Sequence, residues 1–130
     1  MGLTSKVIDG TIVKGLGEGA FFMSMEHYKK EIKNKLGFDA YPGTLNIRIN
    51  KNQSNTLKEN NPIKINGFEN KGKKFGGVKC FKAKIKNADG AIIIPDLNKH
   101  KKNIIEFIST FHIKSKLNLR NGDKIRVELI

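Results

Sequence analysis

Three stretches of this chain combine residue types and spacings that can do chemistry. In "VKGLGEGAFF" the glycines Gly15, Gly17 and Gly19 occupy every second position after an apolar run. Without a Cβ, backbone there can turn its N–H groups toward an anion and let a phosphate come close. No Gly-Lys-Ser/Thr follows, and no helix pattern opens directly after it, so neither a Walker A loop nor a dinucleotide fingerprint fits. Spacing alone leaves a phosphate cradle, a sharp barrel corner and a loop without a role all open. The second stretch is "GTLNIRI", where Thr44 and Asn46 lie two residues apart on one strand and share a side. A hydroxyl and a carboxamide oxygen are hard, neutral ligands, of the kind Mg2+ takes together with water and substrate phosphate. The competing reading is an ordinary solvent-facing polar row. The third is "IIEFI", which sets Glu106 among large apolar residues. Buried there, a carboxylate is costly unless hydrogen-bonded, which points to a ligand with donor groups; on an exposed amphipathic turn it needs no ligand. The histidines His27, His100 and His112 do not cluster, no HxH or HExxH occurs, and Cys80 has no adjacent partner, so Cys80 reads as core. No GxSxG elbow is present.

The elements that must position these groups follow from periodicity. "KVIDGTIVKG" predicts a strand kinked at Asp9-Gly10, and "AFFMS" a second short strand. Ser24 is the expected N-cap of a helix whose Met25, Tyr28, Ile32 and Leu36 share one face, with Gly37 at its left-handed end. After the Tyr41-Pro42-Gly43 turn, Leu45, Ile47 and Ile49 alternate as the buried face of a strand. Residues 51–62 read as a polar loop, "IKING" as a strand and "NKGKK" as a turn. In "FGGVKCFKAKIKN" the apolar phase slips between Cys80 and Phe81, which predicts a bulge or a strand shared by two core faces. Ala88-Asp89-Gly90 is the expected hairpin turn into the buried strand "AIIIP"; "NIIEFIS" and "IKSKLN" read as short helices or turns, and "RNGDKIRVELI" as a turn and closing strand. The sum is a mainly β fold: a small, mostly antiparallel barrel of six or seven short strands, one firm helix and short helical insertions.

At 130 residues and 38% hydrophobic, the chain is expected to form a single domain, 1–130, with a real core. Its apolar runs are too short to span a bilayer and its start lacks a secretory h-region, so no membrane association and a cytoplasmic location are expected. The net charge of +13 draws polyanions, but the lysines are spread through many segments instead of forming one stripe. A basic nucleic-acid-binding barrel is the main rival on charge. It needs aromatic side chains interleaved on an exposed strand face, and here the phenylalanines sit mostly in apolar company. Nucleic acid is therefore not the expected partner, although charge alone leaves it open.

Taken in order, "GLGEGAFF", "LGFDAYPGTLNIRI", "GKKFGGVKC", "DGAIIIP" and "LNLRNGDKIRV" strongly resemble the archaeal CTP-dependent riboflavin kinases, over nearly the whole chain from about Val7 onward. The resemblance implies a six-stranded cradle-loop, riboflavin-kinase-like β-barrel, expected to act as a monomer. It implies transfer of the γ-phosphoryl group of CTP to the ribityl 5′-hydroxyl of riboflavin, giving FMN and CDP. It assigns the nucleotide phosphates to Gly15, Leu16, Gly17, Glu18, Gly19 and Ala20, and Mg2+ to Thr44 and Asn46. Asn98 and Glu106 fall at flavin-contacting positions, with Glu106 as the candidate catalytic base, and Phe111, His112, Ile113 and Lys114 line the nucleotide base. Ala20 stands where relatives can have a basic side chain, which leaves that contact to backbone N–H groups. A flavin- or nucleotide-binding protein without catalysis, built on the same barrel, is the other alternative.

Overall fold

The computed structural model describes residues 6–15, 23–96 and 103–130. Strand β1 (Val7–Val13) turns Ile8 and Ile12 into the core. It does not kink at Asp9-Gly10: Asp9 stays opposite Arg126 and Gly10 opposite Ile125 in the ladder. Gly10 is there for a close approach, because a Cβ on it would lie 2.6 Å from the Arg48 carbonyl oxygen.

Six strands close a barrel. β6 (Val78–Ile85), β7 (Ala88–Pro95), β8 (Ile104–Ser109), β2 (Leu45–Arg48), β1 and β9 (Lys124–Leu129) follow one another around the wall, and β9 pairs back onto β6. Every pairing in the ring is antiparallel. β3 (Ile63–Ile65) extends the same edge of β6 that β9 uses: β3 covers Val78 to Cys80 and β9 covers Ala83 and Lys84. The fold is thus the expected mainly β, six-stranded barrel; three further strands outside the ring bring the total to nine among the described residues, where six or seven were expected in all.

The phase slip has a simple cause. Cys80 faces the cluster under the first helix, and Phe81 faces the barrel interior. The β6–β7 register runs unbroken through Cys80↔Ile93 and Phe81↔Ile92, so there is no bulge in that pairing; the wall is buried on both faces. The outer face is covered by α1 (Glu26–Leu36), which buries Tyr28, Ile32 and Leu36. Its N-cap is Met25, not Ser24, and Gly37 ends it at φ 85° with its N–H shared by the Ile32 and Lys33 carbonyls. Of the strand expected in "AFFMS", residues 20–22 lie outside the described residues, and Met23 and Ser24 are not extended.

Three further expectations are corrected. The polar stretch after β2 is largely a helix, α2 (Lys51–Lys58), nucleated by Asn50, whose side chain accepts from the Gln53 N–H at 2.9 Å. Only Leu57 of α2 is buried, so apolar periodicity carries almost no sign of it. The β6–β7 turn falls at Lys86 and Asn87, with Lys86 at φ 53°, so Ala88, Asp89 and Gly90 already pair in β7. "NIIEFIS" contains β8, a strand, not a helix: its neighbours β7 and β2 supply ladder partners on both sides. As expected, "NKGKK" is a turn; Lys71 and Gly72, both at positive φ, join β4 (Phe68–Asn70) to β5 (Lys73–Phe75) in a separate hairpin. The segment after β8 holds the one-turn helix α3 (Ile113–Lys116).

Candidate active site

Strand order brings distant residues together. β2 lies between β1 and β8, so Asn46 sits opposite Val13 on one side and Glu106 on the other. Leu45 and Ile47 point into the barrel, which turns Thr44 and Asn46 the other way. On β8, Ile105 and Phe107 are likewise interior, and Glu106 alternates with them. The Thr44 hydroxyl donates to Glu106 Oε1 at 2.8 Å, and Glu106 is only 6% exposed. The exposed amphipathic turn is therefore not its setting.

As β1 ends, Gly15 passes over Asn46. A Cβ at Gly15 would fall on Asn46 Nδ2 and lie 2.7 Å from its Cγ. The first of the three glycines is thus required by a close approach to the Asn46 carboxamide, and its φ is not among the positive ones. Leu16, Gly17, Glu18, Gly19, Ala20 and Asn98 lie outside the described residues.

Gly15, Thr44 and Asn46 open into one cleft of about 240 Å³ whose far wall is Phe111, His112, Ile113 and Lys114. Leu45 and Phe107, whose side chains pack in the barrel interior, also border it and are 3% and 1% exposed. α3 holds the far wall: His112 Nδ1 is 2.6 Å from Ser115 Oγ, and Lys114 Nζ donates to Asn121 Oδ1 at 2.6 Å. Lys116 Nζ stands 3.9 Å from the centre of the Phe111 ring, a cation–π contact. Glu106 meets the cleft through Thr44.

Two lining residues escape a reading of the sequence. Tyr41 projects at the mouth, its ring 5.4 Å from that of His112, while its N–H donates to the Ser109 carbonyl at 2.7 Å. Ser109 is buried, and its hydroxyl donates to the Asp89 carbonyl at 2.7 Å. The signal for Tyr41 is an aromatic residue placed before Pro-Gly, where turn chemistry does not ask for one; Ser109 gives no signal. Tyr41 and Phe111 are the exposed large aromatics among the described residues, and both border this cleft instead of forming a platform on a strand face.

The cleft's donor set suits a hard divalent cation. Thr44 and Asn46 offer neutral oxygens on one side of one strand, and Gly15 leaves the approach to Asn46 free of a side chain. Among the described residues, no group of three or more His, Cys, Asp or Glu could hold a metal elsewhere. Cys80, wholly buried, is not among the residues lining this cleft, and desolvation pushes its thiol up to about 12. No helix among the described residues is long and apolar enough to cross a membrane.

Comparison with known proteins bears on this cleft. The CTP-dep_RFKase family model, described as a domain of unknown function, DUF120, matches residues 12–129. A riboflavin kinase of Archaeoglobus fulgidus is 43% identical over 126 residues, covering 95% of this chain and 54% of the relative. One of Pyrobaculum islandicum is 42% identical over 125 residues, covering 94% and 59%. One of Saccharolobus solfataricus is 42% identical over 134 residues, covering 99% and 77%. The chain therefore spans little more than half the length of the first two. A match across residues 12–129, with these identities over most of its length, establishes that the chain belongs to the CTP-dependent riboflavin kinase family.

Proposed function

We propose that this chain is a CTP-dependent riboflavin kinase, moving the γ-phosphoryl group of CTP to the ribityl 5′-hydroxyl of riboflavin to give FMN and CDP. The observation that carries this reading is the cleft onto which Gly15, Thr44, Asn46 and the segment 111–114 converge from separate parts of the chain. Phosphoryl transfer asks little covalent help of a protein, so positioning and charge stabilisation are the work to be done.

In this reading Thr44 and Asn46 hold Mg2+. When bound, the ion supplies charge that offsets the phosphate oxygens, and two neutral ligands leave that charge largely available to the nucleotide. Gly15 begins the phosphate-binding run, which continues through Leu16, Gly17, Glu18, Gly19 and Ala20. Phe111, His112, Ile113 and Lys114 bracket the nucleotide base, with the Phe111 ring offering a face for a planar partner. Asn98 and Glu106 contact the flavin. The 5′-oxygen forms its bond to the γ-phosphorus as the bond to the bridging oxygen breaks, and the hydroxyl proton passes to the Glu106 carboxylate. A loose transition state makes that last assistance a small share of the rate.

The decisive experiment incubates purified protein with riboflavin, Mg2+ and each of the four nucleoside triphosphates and follows FMN by chromatography. FMN with CTP supports the reading. Riboflavin bound tightly without FMN from any triphosphate reduces the protein to a flavin binder, and salt-sensitive nucleic-acid binding without flavin binding favours the rival class.

A further inference from the structure

The geometry points to Glu106 as a positioning residue for Thr44: it takes up the direction of the hydroxyl proton, so that the lone pairs of Thr44 Oγ1 are left facing the cleft. This inference rests on the metal assignment proposed above. A threonine hydroxyl has one proton and two acceptor lone pairs, and it can serve a cation only through the lone pairs. Thr44 donates to Glu106 Oε1 at 2.8 Å, so the proton is accounted for within the protein.

Something has to fix that rotor, because the sheet does not. The β2–β8 ladder begins with Leu45 opposite Phe107, which leaves Thr44 just beyond its end. Glu106, opposite Asn46, is the diagonal neighbour whose side chain reaches back across the strands to it. The bond also accounts for a carboxylate in this place. Glu106 is 6% exposed, next in sequence to the barrel-filling Ile105 and Phe107, and Thr44 is its hydrogen-bond partner among the described residues. An apolar side chain would fill the position at lower desolvation cost. A carboxylate behind a ligand orients that ligand and strengthens its donor oxygen, as carboxylates do behind metal-bound histidines.

The test is a double-mutant cycle read by binding, with Mn2+ as the probe ion. Electron paramagnetic resonance titration in the presence of CDP gives the Mn2+ affinity of wild type, E106Q, E106L, T44V and T44V/E106L. Glutamine keeps an acceptor oxygen toward Thr44, so E106Q is expected within about threefold of wild type, whereas E106L and T44V each lose about tenfold or more. The double variant is expected to be no weaker than either single one, because both remove the same interaction. If E106L does not fold, Glu106→Ser, too short to reach Thr44, replaces it in the cycle. Wild-type affinity in E106L, an E106Q as weak as E106L, or additive losses would overturn the inference while leaving the kinase reading intact. A wild type that binds no Mn2+ with CDP refutes the metal assignment, and the inference with it.

Discussion

Replacing Gly15 by alanine tests the cleft at its tightest point. The added methyl would sit on Asn46 Nδ2, 2.7 Å from Cγ and 3.1 Å from Oδ1. Ordinary contact begins at 3.4 Å, so Cγ must retreat by about 0.7 Å and the amide nitrogen by more. All three atoms belong to the end of a side chain and none to backbone, so the barrel itself relaxes cheaply. The end that moves, however, is the one whose oxygen the proposed chemistry uses. A misplacement approaching 1 Å at a reacting centre costs about a hundredfold, so kcat/KM for FMN formation should fall by about that factor. Unfolding free energy should change by less than about 1 kcal/mol. The assay follows FMN at saturating riboflavin with varied CTP, beside urea unfolding of the same preparations. Gly15→Ala should also do little further harm in a protein already carrying Asn46→Ala, since the clash is then gone. G15A with wild-type kcat/KM, or with the same fractional loss whether or not Asn46→Ala is also present, would refute it.

Three other outcomes follow from the same geometry. E106Q should lower kcat by about tenfold, below the usual range of general-base effects because the transition state is loose, while its Mn2+–CDP affinity stays close to wild type; an unchanged kcat removes the proton-acceptor role. Gly90→Ala should destabilise the fold by about 1–3 kcal/mol or more, because its Cβ would strike the Ile108 carbonyl oxygen and come within 2.6 Å of Phe107 Cζ inside a paired strand; a urea midpoint equal to wild type contradicts this. Cys80, its thiol raised by desolvation from 9.0 to about 12, should resist thiol reagents until the protein unfolds. Between those values the unfolded thiol loses its proton and the folded one keeps it, so this contribution is intact below pH 9 and is lost as pH rises toward 12. The Cys80→Ala variant should therefore show a shallower alkaline loss of stability than wild type, and parallel curves would contradict the shift.

What the chain displayed in advance depended on whether the cause was local. The face of α1, the positive φ of Gly37 and the alternation of Leu45, Ile47 and Ile49 are each set by neighbours in sequence, and each stands in the structure. α2 was hidden because its start depends on one capping amide, Asn50, and its packing on a single leucine. β8 was hidden because five consecutive buried residues, from Ile105 to Ser109, erase a strand's alternation, and only its flanking strands declare it. The same cause misplaced Gly90: it looks like turn chemistry, whereas its missing Cβ makes room for a neighbouring carbonyl. At the site, Thr44 and Asn46 were legible as a pair because two residues on one strand share a side. The Thr44–Glu106 bond joins residues 62 apart in sequence, and only strand order creates it.

That strand order explains why a barrel wall serves as the scaffold. β2 contributes Leu45 and Ile47 to the interior and keeps Thr44 and Asn46 for the cleft, so one short strand both anchors the fold and presents the ligands. Its two neighbours carry Glu106 and the run toward Gly15, each fixed by antiparallel register against Asn46 or beside it. Slipping either register by one residue would turn Asn46 inward and expose Ile47, at the cost of burying a carboxamide and wetting a core side chain that is 0% exposed. The apolar alternation that closes the barrel is therefore the same feature that aims the polar groups. Core substitutions in β2 should consequently disturb nucleotide binding before they unfold the chain, because the cleft depends on register and the fold depends on total burial.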